Sequence, residues 1–287
     1  MRIHAPANPV TGAPHPLRRL FELAAPRIHR WTEDPAAADL IFLAPGSSAD
    51  GDALTAPPLA RKCVVLAAGW EPPFRLASPE THDEPDRANP LVEAHDPATT
   101  VSRRPDLLAS FVGDHPRDEL HDGLFALAKD RRIRLESRAK VDPQRRFYDL
   151  SLRSKFILCP RGTAAHPASL LAAMKLGIAP VILSDDWVPL PGPHWEEFAV
   201  FVSEDDVSRL PAILAGVEST HWLRGEMAQE AYRDFFSPPT YFNHLVASVA
   251  NTHGIHGLSA RHGPPVVPAC RLIREACLLS PVLLHTS

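Results

Sequence analysis

Lys155–Trp187 reads KFILCPRGTAAHPASLLAAMKLGIAPVILSDDW. Two apolar runs, FILC and APVILS, have the length of buried strands, and each ends abruptly in a polar loop. Between them ASLLAAMKL (168–176) reads as a small-residue helix. Pro167 suits its first turn, where a missing N–H costs nothing, and Gly177 suits its C-terminal stop. Strand, loop, helix and strand in this order belong to a parallel sheet covered by helices. In such open sheets ligands bind outside the carboxyl ends of the strands. The loops PRGTAAHP and SDDW therefore fall where a site is expected.

The same alternation extends outward in both directions. MRIHA (1–5), ADLIFLAPG (38–46) and RKCVVLAAGWE (61–71) read as strands, with a helix in PLRRLFELAA (16–25). Residues 76–104 are polar, rich in proline and weakly periodic, which sets a domain boundary: 1–104, then 105–287. Beyond it, DLLASFVG is a strand ending at Gly113, and DELHDGLFALAKD is a helix with Leu120, Leu124, Leu127 and Ala128 on one face. RRIRLESR is a strand, QRRFYDLSLRS a helix, and FAVFVS a further strand. Ser203 with Asp206 fits a capping pattern that opens the helix EDDVSRLPAILAG. Residues 228–250 are helical in part, and PACRLIREACLL is a helix.

The 287 residues are 45% hydrophobic and 22% charged, an ordinary globular composition. A net charge of −4 gives no electrostatic reason to expect nucleic acid or an anionic membrane surface. MRIHAPANP lacks the apolar core of a signal peptide, and no apolar run approaches the roughly 18–20 residues of a membrane span. Cys63 and Cys159 sit in apolar runs, Cys270 and Cys277 are seven apart, and no CxxC pair exists. Reduced thiols in a cytoplasmic protein are the expectation, with no metal and no disulfide.

The loops carry the chemistry. Gly162 lets backbone approach a ligand, and the following helix start offers N–H groups and a positive dipole end. Arg161 adds a permanently charged planar fork and Thr163 a hydroxyl, so the loop suits a diphosphate. Gly113 and Arg117 in SFVGDHPRDEL repeat the arrangement. Both loops are equally readable as plain tight β–α connections. Asp185 and Asp186 suit sugar hydroxyls, a divalent cation or a capped turn. His166 suits a cap, a phosphate contact or proton transfer. Trp70, Trp187 and Trp195 suit either sugar stacking or packing.

In order, F-x-L-C-P-R-G (Phe156–Gly162), A-M-x-L-G (Ala173–Gly177), P-V-I-L-S-D-D-W (Pro180–Trp187) and LPGPHWEEFAVFVSEDDV (Leu190–Val207) resemble the exostosin-type glycosyltransferases. The resemblance covers roughly 105–210 well and the N-terminal third loosely. It implies an α/β, GT-B-like fold, two Rossmann-like domains with parallel sheets facing a central cleft. It implies transfer of a sugar from a nucleotide-sugar donor, a UDP-sugar first, to a hydroxyl of a glycan or small-molecule acceptor. The chemistry would be inverting and free of cofactor or metal. Gly113, Arg117, Arg161, Gly162, Thr163, His166, Ser169, Asp185 and Asp186 would bind the donor. An inverting transferase also needs a base. Glu71, directly after a buried strand, is the first candidate, and His4, ending the first strand, is the second. One departure stands out: where the family carries an Arg and, three residues on, a Glu, this chain has Ser169 and Ala172. The alternatives are a transferase that binds its donor differently, a non-catalytic module that binds a glycan or partner, and a nucleotide-sugar epimerase.

Overall fold

The structure, a computed structural model, describes residues 1–7, 15–43, 63–65, 105–113, 118–137, 143–161 and 168–252. In chain order its elements are β1 (Arg2–His4), α1 (Pro16–Leu23), β2 (Arg30–Trp31), β3 (Leu40–Leu43), β4 (Cys63–Val65), β5 (Leu107–Gly113) and α2 (Glu119–Ala126). Next come β6 (Ile133–Ser137), α3 (Pro143–Arg153), β7 (Ser154–Pro160), α4 (Ala168–Lys175), β8 (Ala179–Leu183), α5 (Trp195–Phe198) and β9 (Val200–Val202). A 3-10 segment, Glu204–Arg209, leads into α6 (Leu210–Val217), followed by α7 (His221–Ala231) and α8 (Pro238–Thr252). The expected helix at 268–279 lies outside the described residues.

The protein is α/β with two parallel sheets, Rossmann-like and GT-B-like. Contacts divide the described elements into two units. The first holds β1–β4, α1, Val188–Gly192 and α8; the second holds β5–β9 and α2–α7.

In the second unit the sheet order is β6-β5-β7-β8-β9, with every pairing parallel. This is a doubly wound order, and its direction reverses between β5 and β7. The central strands are apolar runs because helices cover both faces: all of β8 is buried, and so is FILCP of β7. Leu108, Phe156, Leu158, Val181 and Leu183 pack with Leu120, Leu124, Leu210 and Leu214 in one cluster. Helix α4 packs on β7 and β8 and is itself contacted by α7.

Gly177 stops α4 as the sequence predicts. Its φ of 66° is left-handed, its N–H bonds the Met174 carbonyl (3.0 Å), and the Ile178 N–H reaches the Ala173 carbonyl (3.0 Å). These two bonds satisfy the last helical carbonyls. The Gly177 carbonyl then faces Gly225 of α7, so close that a Cβ at 225 would stand 2.3 Å from its oxygen.

In the first unit the order is β2-β1-β3-β4, again parallel and again reversing beside β1. Helix α8 packs on α1: Phe21 and Phe242 meet edge to face at 5.6 Å, Ala25 N–H bonds the Pro239 carbonyl (2.9 Å), and Asn243 Nδ2 bonds the Pro26 carbonyl (2.9 Å). A boundary at 104 places everything after it in the second domain; α8 instead completes the first unit, because its aromatic face fits α1.

The cap at Ser203 differs from the sequence expectation. The Ser203 side chain makes no capping bond. Its carbonyl takes the Asp206 N–H (3.0 Å), and the Glu204 N–H is accepted by Asp185 Oδ1 at 3.2 Å. A short, tight first turn brings the 3-10 bond into play and leaves the cap to a neighbouring loop.

Candidate functional site

Ligands in doubly wound sheets bind at the carboxyl ends of the strands where the order reverses. In the second unit that point is flanked by Gly113, which ends β5, and by Arg161, which follows β7. Gly113 has a specific reason to be glycine. A Cβ there would stand 2.3 Å from Phe111 Cζ, so the space holds the Phe111 ring. That ring packs against His121 and Phe125.

Arg161 extends the strand pairing by one bond, from its N–H to the Leu183 carbonyl (3.0 Å). This fixes its backbone while the side chain stays half exposed. Its Nε lies 2.9 Å from Glu204 Oε2. Glu204 follows β9, and Asp185, in the exposed turn after β8, accepts the Glu204 N–H. Asp186 is exposed beside it. The loops after β7, β8 and β9 are thus joined through Arg161, Glu204 and Asp185.

Asp118 caps α2 from the β5 side. Its Oδ1 accepts the His121 N–H (2.9 Å) and the His121 Nδ1–H (2.8 Å), so the buried imidazole is tied to a carboxylate. Partial burial pushes the Asp118 carboxyl up. The His121 hydrogen bonds and the Arg161 charge outweigh that and hold it below the usual carboxylate range. Asp118, Arg161 and Glu204 together give the switch point a mixed-charge rim.

Ser169 does not open onto this rim. It is 8% exposed, and its hydroxyl hydrogen-bonds the Cys159 thiol. Burial pushes that thiol up to about 12, which makes Cys159 an inert core residue. Ala172 is fully buried. Trp195 is a packing anchor: it is buried among Trp187, Phe198 and Phe236, with Trp187 edge-on at 5.0 Å.

His4 ends β1, at the reversal point of the first sheet, and is 7% exposed. Its Nδ1 lies 2.9 Å from the Thr32 carbonyl. A carbonyl only accepts, so Nδ1 carries the proton and Nε2 the lone pair of the neutral ring. That is the tautomer a base at Nε2 requires. Glu71, Arg117, Gly162, Thr163, His166 and Trp70 lie outside the described residues. Sequence reasoning missed Glu204, Asp118 and His121. Glu204 carried a signal close to that of Arg161, a charged residue following an apolar run, FAVFVS. Among the described residues there is no group of three or more His, Cys, Asp and Glu side chains placed to hold a metal ion, and no helix long and apolar enough to cross a membrane.

Two Rossmann-like units, each with its strand order reversing beside its first strand, define a GT-B-like class of protein. Residues 70–217, just over half of the chain, match the exostosin GT47 domain, and the chain belongs to that family. It is similar to a probable glucuronosyltransferase of Oryza sativa subsp. japonica, 42% identical over 87 residues, covering 29% of this chain and 21% of the relative. A probable beta-1,4-xylosyltransferase of Arabidopsis thaliana is 41% identical over 81 residues, 27% of this chain and 19% of that one. A probable glycosyltransferase of Arabidopsis thaliana is 31% identical over 80 residues, 27% of this chain and 15% of the relative. The matched stretch thus spans about a fifth or less of these curated relatives.

Proposed function

We propose that the protein is a glycosyltransferase that moves a sugar from a nucleotide-sugar donor, a UDP-sugar first, to a hydroxyl of a glycan or small acceptor, with inversion and without a metal. The observation that carries this reading is Arg161. In a chain of this family, it is a half-exposed guanidinium held at the carboxyl end of a central strand, at the switch point. When the acceptor oxygen attacks the anomeric carbon, the bond to the diphosphate breaks and negative charge collects on the leaving oxygen. Arg161 stabilises that charge by hydrogen bonds aimed where it develops. The acceptor's proton passes to a base, for which Glu71 is the first candidate and His4 the second.

The test is turnover. UDP-glucuronate and UDP-xylose come first, because the similar plant proteins bear those activities in their names. Other nucleotide sugars follow, against a panel of oligosaccharide acceptors. Arg161→Ala is expected to lower kcat/KM by ~100-fold or more, as loss of one oxyanion donor does. Transfer that persists unchanged in Arg161→Ala would count against the role. A second reading, a non-catalytic glycan- or partner-binding module, is supported by Ser169 and Ala172, which are buried and uncharged where the family carries Arg and Glu. Turnover of any nucleotide sugar by the purified protein ends that reading. Binding of glycan without nucleotide would favour it.

A further inference from the structure

We infer that Glu204 is a positioning residue for Arg161, setting the guanidinium so that its Nη edge meets a diphosphate; this rests on the diphosphate role proposed for Arg161. A guanidinium on a flexible stem loses rotamer freedom on binding an anion, and prior immobilisation removes that cost. Here the immobilising group is on the page. Glu204 Oε2 lies 2.9 Å from Nε, the inner nitrogen of the fork. The terminal Nη atoms carry four further N–H donors, enough for two phosphoryl oxygens. Nε held from one side and Nη facing a ligand is the arrangement that makes such a fork directional.

Glu204 is well placed for this because it is itself held. Its side chain is three-quarters buried. Its backbone N–H is fixed by Asp185 Oδ1, and it opens the 3-10 segment one residue after β9. The chain of contacts runs from the loop after β8, through the loop after β9, to the residue after β7. The exposed carboxylate of Asp185 thus acts through a backbone bond on Glu204, and Glu204 acts through its side chain on Arg161.

A carboxylate near a diphosphate also repels it, so two effects oppose each other, and two substitutions separate them. Glu204→Ala removes orientation and repulsion together. Glu204→Gln removes the charge and keeps an oxygen that accepts from Nε. If positioning dominates, Glu204→Ala weakens binding and Gln restores it. If Glu204 is only a competing anion, both variants bind more tightly.

The experiment is calorimetric titration of UDP into the full chain at low salt, for wild type, Glu204→Ala, Glu204→Gln, Arg161→Ala and the double alanine variant, each checked by thermal melting. Freezing one long side chain is worth about 2–10-fold in affinity, so Glu204→Ala is expected to weaken UDP by that factor. Glu204→Gln is expected to bind at least as tightly as wild type. In the Arg161→Ala background, Glu204→Ala is expected to change nothing further. Tighter binding in both Glu204 variants, or an unchanged affinity in Glu204→Ala, overturns the inference while leaving the role of Arg161 intact. If Arg161→Ala does not weaken UDP, or wild type does not bind it, the diphosphate role falls instead. The positioning claim is then decided without ligand, by the Arg161 Nε–H signal in nitrogen-15 NMR. Slow exchange in wild type and fast exchange in Glu204→Ala supports it, and equal exchange overturns it.

Discussion

Gly225→Ala puts a methyl group into a close backbone approach between α7 and the end of α4. Its Cβ would lie 2.3 Å from the Gly177 oxygen, 3.0 Å from the Gly177 carbonyl carbon and 3.5 Å from Ile178 Cα. Relief needs a shift of about 1 Å, since ordinary contact of this kind begins near 3.4 Å. The obstacle is backbone, not the swinging end of a side chain. The Gly177 carbonyl belongs to a left-handed turn pinned by the Gly177 and Ile178 N–H bonds. Rotating it away turns the Ile178 N–H, which shares its peptide plane, off the Ala173 carbonyl, so α7 has to lift from α4. Overpacking of this kind costs about 3 kcal/mol, the top of the usual range. Alanine returns about 1 kcal/mol of helix propensity. The net is about 2 kcal/mol, which at roughly 2–4 °C per kcal/mol for a chain of this size lowers Tm by about 4–8 °C. Gly216→Ala is the control: it sits in α6 with nothing within 4 Å of the new Cβ. It is expected to raise Tm by about 2 °C. The assay is thermal unfolding followed by circular dichroism, both variants beside wild type. A Gly225→Ala protein that melts at or above wild type would refute the claim that glycine is there for closeness.

The first unit is expected to be acid-labile before the second. Burial lowers His15, His29 and His244 from 6.5 to about 4, with the chain's amino terminus adding to the effect at His29. A depressed histidine takes up its proton on unfolding, so its stabilising share is intact above pH 6.5 and falls as pH drops from there toward 4, by up to roughly 1–2 kcal/mol each at pH 5. Amide protection factors, which compare exchange with that of the unfolded chain at the same pH, should therefore fall in peptides 15–31 and 237–252 between pH 7 and pH 5 ahead of peptides 107–183; simultaneous loss counts against it. Both ring nitrogens of His29 are buried without a hydrogen-bond partner, so His29→Leu should raise the urea midpoint, by about 1 kcal/mol in stability, and flatten that acid slope. An unchanged slope would show that His29 is not a source of it. Cys159 should stay unalkylated by iodoacetamide at pH 8 in the folded protein and react in urea, as read by peptide mass spectrometry; labelling of the native state would contradict its burial.

The central strands were legible because burial on both faces writes them as unbroken apolar runs. FILC and APVIL sit at the middle of the five-stranded sheet, and Gly177 ends α4 with the conformation its residue type favours. Strand β2 was not legible: Arg30 and Trp31 form a two-residue ladder beside β1, too short to leave a pattern. Helix α7 escaped for a different reason. Its buried residues are Gly225, Ala228 and Ala231, which contribute closeness where periodicity analysis looks for bulk. The type of α8 was partly readable, but its partner was not. Phe21 and Phe242 are far apart in sequence, and nothing local says that they meet. The site shows the same division. Arg161 was visible from its place after a strand, whereas its pairing with Glu204 depends on three loops converging, a property of the sheet order.

The discontinuous first unit has a consequence for biosynthesis. Strands β1–β4 and α1 emerge from the ribosome early, yet the helix that covers Phe21 and pairs with the backbone of Ala25 and Pro26 is the last described element translated. Every strand and helix of the second unit is translated before it. The nascent chain therefore holds the aromatic face of α1 uncovered while the later-encoded unit can already close around its own core. Synthesis thus reverses the order of completion: the half encoded first is the half finished last. Stalling the ribosome upstream of α8 would leave a chain whose N-terminal part is protease-sensitive and whose middle is not.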